Sequence, residues 1–222
     1  MLELLVGLII LTSLLLICTV AVFCYISGVF QSASLSISSD IPYLKDGATF
    51  YYKTNVGSYS NLGGLFTETY SIAPRLIQCG VYYNDSGKVV AKACRSAVGV
   101  ILTEKSADGS IDFEKHGFSE FHIPPIKEAL YASFPHTSFL SIFIGIWKVL
   151  PLLRRQFKFQ ELECSGFTYV EVYDDTKIHY IGILKDNEDF IVPEFVDNKN
   201  DENVQISVSE VEQVLEGKEK AD

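Results

Sequence analysis

From Leu4 to Ile26 the chain reads LLVGLIILTSLLLICTVAVFCYI, without one charged residue. A helix of that length rises about 34 Å, enough to cross a hydrocarbon core of about 30 Å with some tilt. Among charged side chains only Glu3 precedes the run, and the next is Asp40. A cleaved secretory signal is the competing reading, with Ser32, Ala33 and Ser34 as its cleavage site. Signals carry a basic leader and an apolar core of roughly 7–15 residues. This run has no Lys or Arg before it and is longer, so the expectation is an uncleaved anchor bounded by Leu4 and Ile26.

Orientation follows from the flanking charges. No base precedes the run, whereas Lys45 and Lys53 follow it, which favours a cytosolic remainder. Cysteine usage agrees: Cys18 and Cys24 lie within the run, leaving Cys79, Cys94 and Cys164 without a disulfide-like framework. Asn84-Asp85-Ser86 matches a glycosylation sequon, but it adjoins an expected strand and reads as a chance triplet.

Charge is concentrated at the far end. From Asp186 onward there are twelve acids against three lysines, within a chain of net charge −10. The body is therefore close to neutral, which excludes a basic surface for direct nucleic-acid contact. The chain divides into an anchor over 1–30, a linker over 31–46, one domain over 47–195, and an acidic tail over 196–222 that reads as solvated and disordered. Within that tail, 204–208 and 211–215 could form a short strand or helix.

The middle carries an internal repeat. Thr54-Asn55-Val56-Gly57-Ser58-Tyr59 aligns with Phe134-Pro135-His136-Thr137-Ser138-Phe139 at an offset of eighty, each joining an aromatic strand to an apolar helical run. Each helix leads to a strand ending in aromatic-plus-acid, Gly80 to Asp85 and Val170 to Asp175, at an offset of ninety. A further strand closes each half, which span Thr49–Leu102 and Gly117–Leu184. Phe50, Tyr52 and Thr54 alternate with Thr49, Tyr51 and Lys53 as in a half-buried strand. Leu62, Leu65, Phe66 and Tyr70 have helical spacing, with Asn61 as the expected cap. The second helix, Ser138 to Phe157, is apolar almost all round and reads as a buried core helix, with an interfacial segment as the alternative. Pro151 should kink or end it. The fold class is α+β: an N-terminal transmembrane helix, then one antiparallel sheet built from two strand–helix–strand–strand repeats, with two helices on one face.

The order of these pieces, with Gly64-Leu65-Phe66-Thr67-Glu68, Val81-Tyr82-Tyr83 and Cys94-Arg95-Ser96-Ala97-Val98-Gly99, resembles the gyrase-inhibitor-like, or effector-binding, domain, which is related to SOUL domains. Behind a lone anchor, and with Ser133-Phe134-Pro135-His136-Thr137, Leu140-Ser141-Ile142 and Phe190-Ile191-Val192-Pro193-Glu194, the chain is similar to the testis-expressed family of reticulophagy receptors. That resemblance implies a helix in the endoplasmic reticulum membrane, extending to the nuclear envelope, and a cytosolic non-enzymatic domain. It implies as partners the lipid bilayer, ubiquitin-like autophagy modifiers, and a hexameric ubiquitin-selective unfoldase used in removing DNA–protein crosslinks. The family binds its modifiers through an aromatic-x-x-aliphatic motif added as a strand. This chain has no aromatic after Phe195, so Phe190 and Phe195 become the candidate partner contacts. Phe167-Thr168-Tyr169-Val170, Tyr169-Val170-Glu171-Val172 and Tyr180-Ile181-Gly182-Ile183 match by letters but fall in expected strands.

Effector-binding relatives hold ligands between the repeats around an acid. Glu171 falls at that position here, with Tyr59, Tyr83 and Tyr173 as cleft candidates. A carboxylate among aromatic rings suits a cationic ligand. Alternating Tyr and Glu is also the pattern of a solvated sheet face, and that reading comes first. His116, His122, His136 and His179 lack metal-ligand spacing, so neither a metal nor a haem cofactor is expected, although a haem-binding relative shares the architecture. Cys94 beside Arg95 has no base partner in the sequence, and no phosphate loop or nucleophile elbow occurs. No catalytic residue is assigned. The alternative to a receptor is a membrane-tethered small-molecule or haem-binding module.

Overall fold

The computed structural model describes residues 1–102, 111–159 and 167–196. The stretches 204–208 and 211–215, the rest of the acidic tail beyond 196, and Cys164 lie outside the described residues.

Helix α1 (Leu2–Ile26) is apolar and has no buried residue. Its polar groups are answered internally: the Thr12 and Thr19 hydroxyls donate to the Leu8 and Leu15 carbonyls at 3.0 and 2.8 Å. Length and composition are compatible with a single membrane span.

The remainder is α+β. Strands β1 (Ser36–Ser38), β2 (Ala48–Val56), β3 (Ile77–Tyr82), β4 (Arg95–Leu102), β5 (Ser119–Ile123), β6 (Ala129–Pro135), β7 (Tyr169–Tyr173) and β8 (Lys177–Ile183) form one eight-stranded sheet. The order is β1-β6-β8-β7-β3-β4-β2-β5, and every pairing is antiparallel. Helices α2 (Gly63–Ile72) and α3 (Phe139–Phe159) contact the sheet through β3 and β4, and through β6 and β8. The seam at the middle is β3 against β7, where Gly80 stands opposite Glu171.

Alternation in β2 decides which face meets what. Lys53 reaches across to Glu68 of α2 at 2.7 Å, so Phe50 and Tyr52 point to the opposite side. That second face is also covered. Ile41, Leu44, Phe190, Val192 and Phe195 pack there with Phe50, Val81, Val170 and Val172 into one core. On the helix side, Leu62, Tyr82, Val98, Phe134, Leu153 and Tyr180 form another. Sequence alternation in a strand flanked on both faces cannot separate these two cores.

Backbone packing is close at the sheet centre. A Cβ on Gly99 of β4 would stand 1.8 Å from the Tyr51 carbonyl oxygen, which only a residue without a side chain avoids.

Several boundaries differ from the sequence reading. The linker 31–46 contributes β1, paired to β6, and the buried Ile41 and Leu44; a stretch of mixed polarity gave no periodic signal for either. Residues 119–123, assigned to the second half without an expected strand, form β5 and pair with β2 of the first half at the far edge. Asn61 is not the cap. Ser58 accepts from the Ser60 amide ahead of a short 3-10 turn, and α2 starts only at Gly63. Helix α3 continues through Pro151, which is exposed, so the carbonyl left unbonded can tilt outward. Nor is α3 buried all round: Phe139, Phe143 and Trp147 are 76%, 54% and 75% exposed.

Candidate functional site

Between α2 and α3 a cleft of about 620 Å³ descends to the β3–β7 seam. Helix α2 supplies Phe66, Thr67 and Tyr70 to one wall, and α3 supplies Phe139, Ile142, Phe143 and Ile146 to the other. The floor is Gln78, Tyr82, Tyr169, Glu171 and Tyr173. Strand alternation places 169, 171 and 173 on this face and sends Val170 and Val172 to the opposite core. Gly80 leaves open the position opposite Glu171, where a Cβ would lie 3.1 Å from the Phe66 ring and 3.2 Å from the Tyr82 hydroxyl.

Glu171 is 1% exposed. Its Oε2 accepts from the Tyr82 hydroxyl at 2.9 Å and the Tyr173 hydroxyl at 2.5 Å. Its Oε1 has no partner, and neither amide atom of the buried Gln78 side chain has one. Burial disfavours the charged carboxylate and pushes Glu171 up to about 7, against the pull of the two tyrosine hydrogen bonds. Burial and the nearby carboxylate raise the Tyr82 and Tyr173 phenols, which therefore remain donors.

Aromatic rings wall this carboxyl. Tyr82 stacks on Tyr169 at 4.5 Å, Tyr59 meets Tyr82 edge-on at 5.0 Å, and Phe66 meets Tyr173 edge-on at 5.3 Å. Such a pocket attracts a cation through the charge at its base and the ring faces at its sides. It offers apolar area for the rest of the ligand.

Three of the four cleft candidates come together here: Tyr59, Glu171 and Tyr173. Glu171 is on a buried floor and not on the solvated face that its strand pattern suggested. Tyr83 is elsewhere. It belongs to the opposite core and meets Phe195 edge-on at 5.4 Å, because the neighbouring Tyr82 takes the cleft side of the pleat. Sequence reasoning missed Tyr82, Tyr169 and Gln78; the parity of Glu171 along its own strand could have identified Tyr169. The partner candidates Phe190 and Phe195 are 4% and 3% exposed and form part of the second-face core, so neither is presented to a partner.

His179 is held within the fold, whereas His136 lines the cleft and meets Tyr173 edge-on at 5.7 Å. The His179 Nδ1 lies 2.8 Å from the Tyr131 hydroxyl, and its Nε2 lies 2.8 Å from Asp174. The His136 Nδ1 lies 2.7 Å from the Asp174 carbonyl. Among the described residues no group of three or more His, Cys, Asp or Glu could hold a metal ion. Burial raises the Cys94 thiol, so it is no ready nucleophile. A second depression of about 630 Å³ lies beside the C-terminal half of α3, where Arg154 is paired with Asp85 at 2.7 Å.

No family model matches the chain. It is 36% identical over 195 residues to testis-expressed protein 264 of Homo sapiens, covering 86% of this chain and 61% of that protein. It is 37% identical over 172 residues to the testis-expressed protein 264 homolog of Mus musculus, covering 76% and 54%. The chain thus spans about 61% and 54% of these relatives' lengths. A crystal structure of the EcmrR C-terminal domain overlaps 68% of this chain and 96% of its own, at 14% identity and a TM-score of 0.35.

Proposed function

We propose that this protein is a single-pass membrane receptor or adaptor for selective autophagy of the endoplasmic reticulum, with a non-enzymatic, gyrase-inhibitor-like domain in the cytosol. The observation carrying this reading is the similarity to testis-expressed protein 264 over most of a chain that begins with an exposed apolar helix. The side-by-side order of β2–α2–β3–β4 and β6–α3–β7–β8 supports the two-repeat description of the domain. Ubiquitin-like autophagy modifiers are the proposed partners, and the same resemblance adds a ubiquitin-selective unfoldase in DNA–protein crosslink removal. The motif matches in β7 and β8 are inside the sheet, flanked by strands on both sides.

Topology provides the first test. Protease added to intact microsomes should digest the domain and leave only a fragment containing α1. Full protection, or a glycan on Asn84, would place the domain in the lumen and contradict a cytosolic receptor.

One observation favours a second reading, a membrane-tethered module for small cationic ligands. Unpaired Glu171 Oε1 and the Gln78 amide lie at the base of a 620 Å³ aromatic cleft. Polar atoms buried without partners are costly, and a ligand that pairs them recovers that cost. Butylammonium titrated into the detergent-solubilised chain should bind more tightly as pH rises through 7, because its N–H groups pair best with the ionised carboxylate.

A further inference from the structure

We infer that α3 is an interfacial helix whose stripe of Phe139, Phe143 and Trp147 sits at the headgroup–acyl boundary of the bilayer crossed by α1, so that the domain rests on the membrane. The inference depends on α1 spanning that bilayer. The three side chains recur at i, i+4 and i+8, which puts them on one side of the helix. All three are more than half exposed, and Phe139 and Phe143 meet edge-on at 4.9 Å, forming one contiguous apolar ridge.

What covers that ridge follows from where α1 ends. The Thr137 hydroxyl donates to the Ile26 carbonyl at 2.8 Å, and the Ser27 and Ser138 hydroxyls are 2.8 Å apart. Lys148 Nζ donates to the Gly28, Val29 and Gln31 carbonyls at 3.3, 2.6 and 2.5 Å. A cation therefore holds the turn that follows the membrane helix, near the end of the helix that its dipole makes negative. Gly28 holds a φ of +84°, and a Cβ there would lie 2.9 Å from the Phe134 ring. These contacts key the exit of the anchor to the first half of α3 without an intervening tether.

Composition fits the same surface. Trp is a residue type that collects at membrane interfaces, and α3 contains no acid in a chain of net charge −10. Arg155 and Lys158 are exposed toward its C-terminal end, as headgroup phosphates require. Tyr25 and Phe30, 73% and 74% exposed on either side of the exit, extend the aromatic belt. Phe139 and Phe143 also line the cleft, so a ligand bound for Glu171 would enter beside the lipid.

Trp147 is the only tryptophan in the chain, which makes its fluorescence specific. The full chain is reconstituted into phosphatidylcholine vesicles containing phosphatidylserine, with and without lipids brominated on the acyl chain near the headgroup. The expected result is blue-shifted emission, loss of most of it to the brominated lipid, and protection from aqueous acrylamide. A Phe139→Ser/Phe143→Ser double variant alters only exposed side chains; with its circular dichroism unchanged, it should shift Trp147 emission to the red and restore acrylamide quenching. Carbonate extraction reports separately on α1. Water-like emission that ignores brominated lipid, in a chain that still resists extraction, would overturn the interfacial helix while leaving the anchor intact. So would a blue shift without lipid quenching that fades on dilution into more lipid, which would mark contact between two copies.

Discussion

Glu171→Gln is expected to stabilise the folded chain at pH 8 by about 3 kcal/mol and to leave its stability at pH 4 unchanged. The folded carboxyl titrates at about 7 against an ordinary value of 4.5, with burial as the main cause. Between those values the folded state binds a proton that the unfolded state has released, so rising pH destabilises the native protein by about 1.4 kcal/mol per unit. Below the ordinary value both states are protonated and the penalty vanishes. Glutamine preserves the shape and still accepts from Tyr82 and Tyr173, but has no charge to desolvate. Asp174 acts with the opposite sign. Burial would raise its carboxyl, but hydrogen bonds from His179, Thr176 and Lys177 outweigh it and hold the group well below the usual range. Its contribution is present above the ordinary carboxylate value and is lost as pH falls through the folded one. The difference between wild type and Glu171→Gln isolates the first effect from the second. Urea unfolding of both proteins in detergent across pH 4–8 provides the measurement, and parallel curves would contradict a buried, strained carboxylate. The same substitution should abolish butylammonium binding at pH 8.

Phe195→Ala should destabilise the fold by about 3–5 kcal/mol, as expected for truncating a buried aromatic. The ring packs against Tyr83 at 5.4 Å and lies under the Arg95 guanidinium at 5.8 Å, with 3% of its surface exposed. Phe190→Ala should act in the same direction from the same core. Chemical denaturation of the full chain measures both. An unchanged midpoint would mean that the residues are peripheral and would return them to the role of partner contacts.

The sequence exposed some of this physics and concealed the rest. The apolar N-terminal helix, the strand–helix–strand–strand units and the acid of β7 were legible because each has a period or a composition of its own. Tyr82 and Tyr83 could not be separated, since two adjacent tyrosines have no parity until the strand is paired. Phe190, Val192 and Phe195 follow the last strand as a short apolar run, and only the tertiary fold shows that they close the second face of the sheet. Strand β1 is three residues long and exists through pairing to β6, a contact between segments nearly a hundred residues apart. Helix α3 was the most ambiguous element. Apolar on nearly all sides, it has no clear inner face, and the outward set of Phe139, Phe143 and Trp147 emerges only once Val149, Leu153 and Phe157 are seen against the sheet.

The proposed receptor role stands or falls on turnover of the endoplasmic reticulum during starvation in cells lacking this protein. Turnover should fall in those cells, recover when the native protein is returned, and fail to recover when Leu2–Ile26 is deleted and the domain is released from the membrane. Turnover equal to that of normal cells, or full rescue by the released domain, would contradict an anchored receptor and leave the cleft around Glu171 as the functional centre.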